Sequence, residues 1–161
     1  MNADAHHKLQ RSLETSIRLA HQLEESLLKE TRAVEARQPD TLQDVVTGKQ
    51  TLLHELETET RNQQGLVEAA GEAFSPEGVA RLFSKMDDGV VLNDLWQALR
   101  QSIERCDTLN QGNARLIDRD RQRVELSMQI LRGEETGPAA TYDPYGRARP
   151  GNHGGRQITQ A

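Results

Sequence analysis

The sequence has 161 residues, of which only 35% are hydrophobic and 28% are charged. Because soluble domains typically contain about 45–50% apolar residues, a thick two-layer core is disfavoured, and a thin fold in which each helix buries one stripe fits better. The net charge of −5 disfavours nucleic acid as the main partner, since an acidic chain repels phosphate groups. The single cysteine excludes an internal disulfide. We expect a cytoplasmic protein without membrane insertion, because no stretch approaches the ~18 apolar residues of a membrane span.

Two long helices are predicted over residues 3–37 and 40–70, where apolar residues recur at steps of three, four or seven. Pro39 separates them, since proline disfavours helix in the residue before it and suits the first turn of a new helix. A short helix is predicted over 76–86. It follows Ser75-Pro76-Glu77, which supplies an N-cap, a proline at the first helical position and an acid in the first turn.

The fourth predicted helix, residues 90–132, contains no proline and carries a heptad seam. Such a helix must pack along the first two helices or against a partner. The sequence therefore predicts an all-α fold, an elongated bundle or hairpin of long antiparallel helices over 1–132. Residues 133–161, which contain six glycines and three prolines, are predicted to form a disordered tail. The seam positions are Leu92, Trp96, Leu99, Ile103, Cys106, Asn110, Asn113, Ile117, Asp120, Val124, Ser127 and Leu131.

No arrangement of residues predicts catalysis, a cofactor or a metal. Di-iron helical bundles use Glu-x-x-His on two helices, and this spacing does not occur. His21 and His54 instead precede Glu24 and Glu57 by three residues, which we interpret as polar pairs on helix surfaces. Cys106 lies on the seam, where a buried small hydrophobic residue is expected rather than a nucleophile. We therefore predict that the protein is not an enzyme.

Two segments could bind partners. The apolar stretch from Ile117 to Leu131 either packs within the bundle or takes the amphipathic helix of a partner, and periodicity alone does not separate these readings. In the tail, Tyr142 and Tyr145 surround Asp143-Pro144, which is either a short docking motif or simply a turn.

These segments carry a resemblance to the FlgN family of flagellar export chaperones. Residues 109–117, Leu-Asn-Gln-Gly-Asn-Ala-Arg-Leu-Ile, followed by Val124 and Leu131-Arg132-Gly133, are similar to the "N..N..LI" stretch of that family. Residues 142–147, Tyr-Asp-Pro-Tyr-Gly-Arg, resemble its "Y-D-x-x-G" ending. Weaker similarity lies in Lys49 with Leu52-Leu53 and in Leu95-Trp96. The sequence departs from the family pattern after Gly146, where it continues with a segment rich in glycine and arginine.

The resemblance implies an all-helical chaperone without enzymatic activity. Members bind C-terminal helical segments of the hook-associated (hook–filament junction) proteins, prevent their premature assembly and deliver them to the export apparatus. The binding site for this cargo, placed towards the C-terminal part of the family, corresponds here to Ile117, Val124, Met128 and Leu131. An exposed aromatic residue docks flagellar chaperones on the cytosolic domain of the export gate, and Tyr142, then Tyr145, are the candidates here.

A second hypothesis is a structural or adaptor protein that self-associates through the seam over 92–131. Asn110 and Asn113 would then fix the register of a coiled-coil dimer.

Overall fold

Residues 3–132 are described by the computed structural model, and they contain four helices and no strand. The predicted all-α fold class is confirmed, and each helix end lies within two residues of its predicted position. The tail predicted over 133–161 lies outside the described residues. The helices are α1 (Ala3–Glu35), α2 (Pro39–Ala69), α3 (Pro76–Ser84) and α4 (Gly89–Leu131).

Local sequence signals set the starts of α2 and α3. Pro39 occupies the first turn of α2, and Asp40 lies there too, where the helix dipole favours an acid. Ser75 caps α3, because its extended backbone lets the side-chain oxygen accept a hydrogen bond from the Gly78 main-chain N–H at 3.1 Å. These two starts follow the prolines and the N-cap that the sequence predicts.

The first two long helices run antiparallel. Near one end of the pair, Gln63 of α2 donates a hydrogen bond to Ser16 of α1 at 2.8 Å. Near the other end, the Lys49 ammonium of α2 lies 2.6 Å from the Glu30 carboxylate of α1. Because residues further along α1 contact residues earlier in α2, the two helices form an antiparallel hairpin.

The fourth helix runs parallel to α1 and hence antiparallel to α2. Cys106 donates a hydrogen bond through Sγ to the carbonyl oxygen of Ala20 at 3.4 Å. Further along both helices, Asn113 donates to the carbonyl oxygen of Leu27 at 2.9 Å. Consecutive long helices therefore run antiparallel, as predicted, and the short α3 lies at the end where α2 ends and where both α1 and α4 begin.

The core consists of two apolar clusters that share α1. In the larger cluster, one face of α1 packs against all three other helices, and in the smaller cluster it packs against α2 and α4. The larger cluster contains Leu9, Leu13, Ala20, Val67, Val79, Leu82, Phe83, Leu92 and Leu99, and the smaller contains Leu23, Leu27 and Cys106.

The chain divides into two units within α4. The first unit ends at Asp118 and contains both apolar clusters. The second begins at Arg119, and its described part is the last section of α4 together with Arg132.

Candidate protein-binding site

Within the first unit, alternate residues of the α4 heptad seam are buried against the chain's own helices. Leu92, Leu99, Cys106 and Asn113, each seven residues after the last, are buried. The alternate seam position is more open, and Ile103 and Ile117 are 36% and 38% exposed. Because half of this seam is already covered by the chain's own helices, it cannot also form the continuous apolar seam that a coiled-coil dimer needs.

Asn113 links α4 to α1 rather than to a second chain. Its side chain is 2% exposed, and besides its bond to Leu27 it accepts a hydrogen bond from the Thr31 hydroxyl at 2.6 Å. A buried amide needs such partners, since an unmade hydrogen bond costs about 1–3 kcal/mol. This asparagine of the "N..N..LI" stretch therefore stabilises the fold.

The other asparagine of that stretch, Asn110, belongs to the same group of polar contacts. Lys49 donates a hydrogen bond to Asn110 Oδ1 at 3.3 Å, and the same ammonium forms the ion pair with Glu30. The side chains of Glu30 and Lys49 are 1% and 15% exposed. We call these residues, with Thr31 and Asn113, the polar layer; it connects α1, α2 and α4.

The described part of the second unit is rich in exposed apolar side chains. Val124, Met128 and Leu131, three of the residues predicted to bind cargo, are 63%, 41% and 81% exposed. Leu126 and Ile130 are 50% and 62% exposed, and the sequence prediction did not include them in the site. Several large apolar side chains exposed together on one short helical section are typical of an interaction site.

These five residues form two stripes on the helix. At about 100° per residue, Val124, Met128 and Leu131 share one side, which we call face A. Leu126 and Ile130 lie about 160° and 120° from Val124 around the helix, and we call them face B. The spacing of four residues between Leu126 and Ile130 is the signal that could have identified face B from the sequence.

Ile117, the fourth residue predicted to bind cargo, belongs to the first unit. It is 38% exposed, so part of its side chain is free to contact a partner. Tyr142 and Tyr145, predicted to dock on the export gate, lie outside the described residues, and their role stays a prediction.

A groove between α2 and α4 is a second apolar surface, which the sequence prediction missed. Its volume is about 520 Å³, and Leu53 and Ile103 line it with 45% and 36% exposure. Phe74 and Trp96 also line it and pack edge to face, with ring centroids 5.7 Å apart. The Trp96 indole N–H is buried and has no hydrogen-bond acceptor in the described part of the chain. In the sequence, Trp96 stood out as a seam residue and in the weaker family similarity, and neither indicated a groove.

The thiol and the carboxylates considered as possible chemical groups in the sequence make structural contacts instead. Burial raises the pKa of the Cys106 thiol, and the nearby Glu24 charge raises it further, so the thiol stays protonated and is a poor nucleophile. Glu24 contacts Arg105 and Glu57 pairs with Arg61, rather than with the histidines three residues before them. Among residues 3–132, no three His, Cys, Asp or Glu side chains are grouped to hold a metal ion.

No helix within the described residues has both the length and the apolar character to cross a bilayer.

Comparison with known proteins identifies the family. The family model described as FlgN protein matches residues 1–150. The chain belongs to the FlgN family. Among solved structures, it is similar to a Pseudomonas aeruginosa protein named as a flagella synthesis protein FlgN, with 28% identity and a TM-score of 0.65. That match covers 74% of this chain and 94% of the other. A comparison with curated proteins finds no match.

Membership of the FlgN family confirms the resemblance carried by residues 109–117. It indicates a chaperone of flagellum assembly that binds flagellar proteins. The asparagines of that stretch lie in the polar layer, whereas the apolar residues that follow them in sequence are exposed.

Proposed function

We propose that the chain is a cytoplasmic export chaperone. It holds C-terminal helical segments of the hook-associated proteins, prevents their premature assembly and delivers them to the flagellar export gate. The observation that carries the proposal is the set of five exposed apolar residues within 124–131, on a helical section of a chain that otherwise places its large apolar residues mainly in the core. Helix-in-groove recognition uses such i, i+4 and i+7 positions as anchors.

The two apolar faces favour a partner that contacts this section of α4 from more than one side. A single amphipathic helix would cover face A or face B but not both, because the centres of the two faces lie about 150° apart around the helix. A cargo protein whose terminal segments pair as helices could cover both faces at once. This arrangement would also bury the apolar surface through which such segments assemble with one another.

The apolar residues alone support only modest affinity. Fully burying a side chain of this kind contributes about 1.5–3 kcal/mol. Since the five are on average a little over half exposed, their burial supplies roughly 7 kcal/mol. Association itself costs about 4–15 kcal/mol, so further contacts must contribute to stable capture.

The proposal is tested by co-expressing the tagged chain with the hook–filament junction proteins of the same genome. Val124→Asp and Met128→Asp place a charge on face A, and we expect both to abolish capture. Gln129→Asp is the matched control, because Gln129 is on the same turn as Met128 but lies between the two faces, about 100° from Met128 and about 60° from Leu126. Ile117→Asp is expected to weaken capture. Circular dichroism establishes that each variant remains helical.

The same experiment addresses the tail. A 1–132 truncation is expected to retain the junction proteins while losing the interaction with the cytosolic domain of the export gate. Tyr142→Ala is expected to weaken gate binding with cargo capture intact, and Tyr145→Ala to have the smaller effect. Normal cargo capture by helical Val124→Asp would refute the site assignment, and equal gate binding by wild type and Tyr142→Ala would refute the docking role.

Self-association is the alternative for the exposed apolar faces, since a second copy could cover them. Sedimentation equilibrium separates the two functions. A chaperone that awaits cargo should be monomeric at micromolar concentration, whereas a structural coiled coil should be dimeric there. A dimer that Val124→Asp converts to a monomer would favour the structural protein.

A further inference from the structure

The section of α4 that carries both apolar faces is also basic. Residues 119–132 contain four arginines against two carboxylates, a net charge of +2 in a chain whose net charge is −5. Arg119, Arg121 and Arg123 are exposed. Arg123 lies 3.8 Å from Asp120, a loose contact between residues three apart, and Arg119 and Arg121 have no ion-pair partner in the described part of the chain. The charges of Arg119 and Arg121 are therefore available to a partner.

The arginines are positioned in line with the apolar faces. Arg121 lies three residues before Val124, so it extends face A towards the start of this section. Arg119 and Arg123 lie seven and three residues before Leu126, so they extend face B in the same direction. Face B therefore begins with two positive charges and continues with apolar side chains, whereas face A begins with Arg121 beside Asp120, which lies four residues before Val124.

We infer that the helices held by this section are acidic, with carboxylates at the end that faces Arg119, Arg121 and Arg123 and apolar residues along the rest. This inference rests on the proposed function and specifies the chemistry of its partner. Opposite charges across an interface steer encounter and fix register, and here they supply the contacts that apolar burial alone lacks. The position of the charges at one end of both faces also sets how far along α4 a partner helix lies.

An acidic protein helix fits this surface better than other polyanions. Residues 119–132 contain no aromatic side chain on which a base could stack, and five exposed apolar residues would be left uncovered by phosphate groups. An anionic membrane would take a helix with one apolar and one polar face, whereas this section has two apolar faces whose centres lie about 150° apart. Only a partner with apolar and carboxylate groups on more than one side matches both features.

The inference is tested with the full chain and two synthetic amphipathic peptides of about 20 residues, which span roughly 30 Å as helices. Both carry the same leucines, but one has glutamates and the other lysines at its polar positions. Fluorescence anisotropy measures their affinities at about 0.05 M and about 0.5 M salt, where screening lengths differ several-fold. We expect the acidic peptide to bind about tenfold more tightly at low salt, the effect of about three exposed charge pairs, and the preference to shrink at high salt.

Charge reversal identifies the residues responsible. Arg119→Glu/Arg121→Glu/Arg123→Glu should reverse the preference, so that the lysine peptide binds more tightly. The matched control is Arg11→Glu/Arg18→Glu/Arg32→Glu, which changes the net charge equally through three exposed arginines of α1 and should keep the preference for the acidic peptide.

Each outcome either supports or overturns the inference. Equal affinity for the two peptides, or equal effects of the two triple variants, would overturn it. Tighter binding of single-stranded RNA or of vesicles containing phosphatidylserine than of the acidic peptide would overturn it in favour of another anion. If the junction proteins are captured but the acidic peptide is not preferred, the proposed function stands and the inference fails. If the acidic peptide is preferred but the junction proteins are not captured, the inference stands and the proposed function fails.

Discussion

Lys49→Met should be among the most destabilising substitutions in α2. The Lys49 ammonium lies 2.6 Å from the carboxylate of Glu30, which is only 1% exposed, and also donates a hydrogen bond to Asn110. Methionine has nearly the same shape but no charge, so the packing changes little and the carboxylate loses its cation. Removing one partner of a buried ion pair typically costs about 3–5 kcal/mol.

The expected loss lies near the lower end of that range. Lys49 itself is 15% exposed, so water near its position can partly solvate the carboxylate once the ammonium is gone. We therefore expect a loss of about 3 kcal/mol in the free energy of unfolding. For a chain of this size this lowers Tm by about 6–12 °C, since 1 kcal/mol corresponds to about 2–4 °C.

The double variant Glu30→Met/Lys49→Met distinguishes this reasoning from a simple loss of packing. Replacing both members of a buried ion pair by apolar residues is often neutral or stabilising, because the desolvation penalty of both charges is removed. The double variant should therefore be more stable than Lys49→Met alone. Urea unfolding followed by circular dichroism measures all three proteins. A loss below about 1 kcal/mol in Lys49→Met, or a double variant less stable than the single one, would refute the argument.

Three further changes test other parts of the fold. Hydrogen bonds from Lys85 and, to a smaller extent, Arg81 lower the pKa of the Glu72 carboxyl. Glu72→Gln should therefore reduce stability above pH 4.5, and in thermal melts the difference in Tm between the variant and the wild type should disappear as the pH falls through the lowered pKa. A difference in Tm that grows in acid would contradict this. Gly89→Ala places a Cβ 1.8 Å from a carbonyl oxygen of α3 and should cost more than about 2 kcal/mol. Its control is Gly65→Ala, whose Cβ meets nothing within 4 Å and which should raise the free energy of unfolding, measured in urea, by about 1 kcal/mol. Equal effects of the two substitutions would refute the close approach of Gly89 to α3. Cys106 should react with iodoacetamide at least about 100-fold more slowly in the native chain than in urea, because it is buried and its pKa is raised, and rapid native labelling would contradict its placement.

Periodicity and caps were sufficient to predict the helices, because each long stretch of this chain carries its own pattern of apolar spacing. The pattern could not assign partners to the faces. Leu99 and Ile103 are both seam residues in the sequence, yet Leu99 is buried in the core and Ile103 is 36% exposed beside the α2/α4 groove. The difference arises from the direction of α4 relative to α1 and α2, a non-local property that spacing within one helix does not encode.

The buried charges were the least predictable feature. Glu30 belongs to a helix with many carboxylates, and nothing in its local sequence separates it from those that face solvent. Lys49 did fall on the apolar stripe of the predicted second helix, which is a signal of a buried position. A cation on such a stripe requires a buried anion, but the sequence does not say which of the chain's acids supplies it.

The part of α4 that resembles the FlgN pattern therefore combines two roles. Asn113 is 2% exposed and bonded to α1, so its substitution should lower stability and capture together. Val124 is 63% exposed, so a polar substitution there should remove capture and leave the melting temperature nearly unchanged. A chaperone needs this separation, because the apolar surface offered to a partner must stay uncovered while the rest of the chain folds around its own core. The polar layer supports it, since hydrogen bonds and an ion pair hold α1, α2 and α4 in register without using the apolar residues of 124–131.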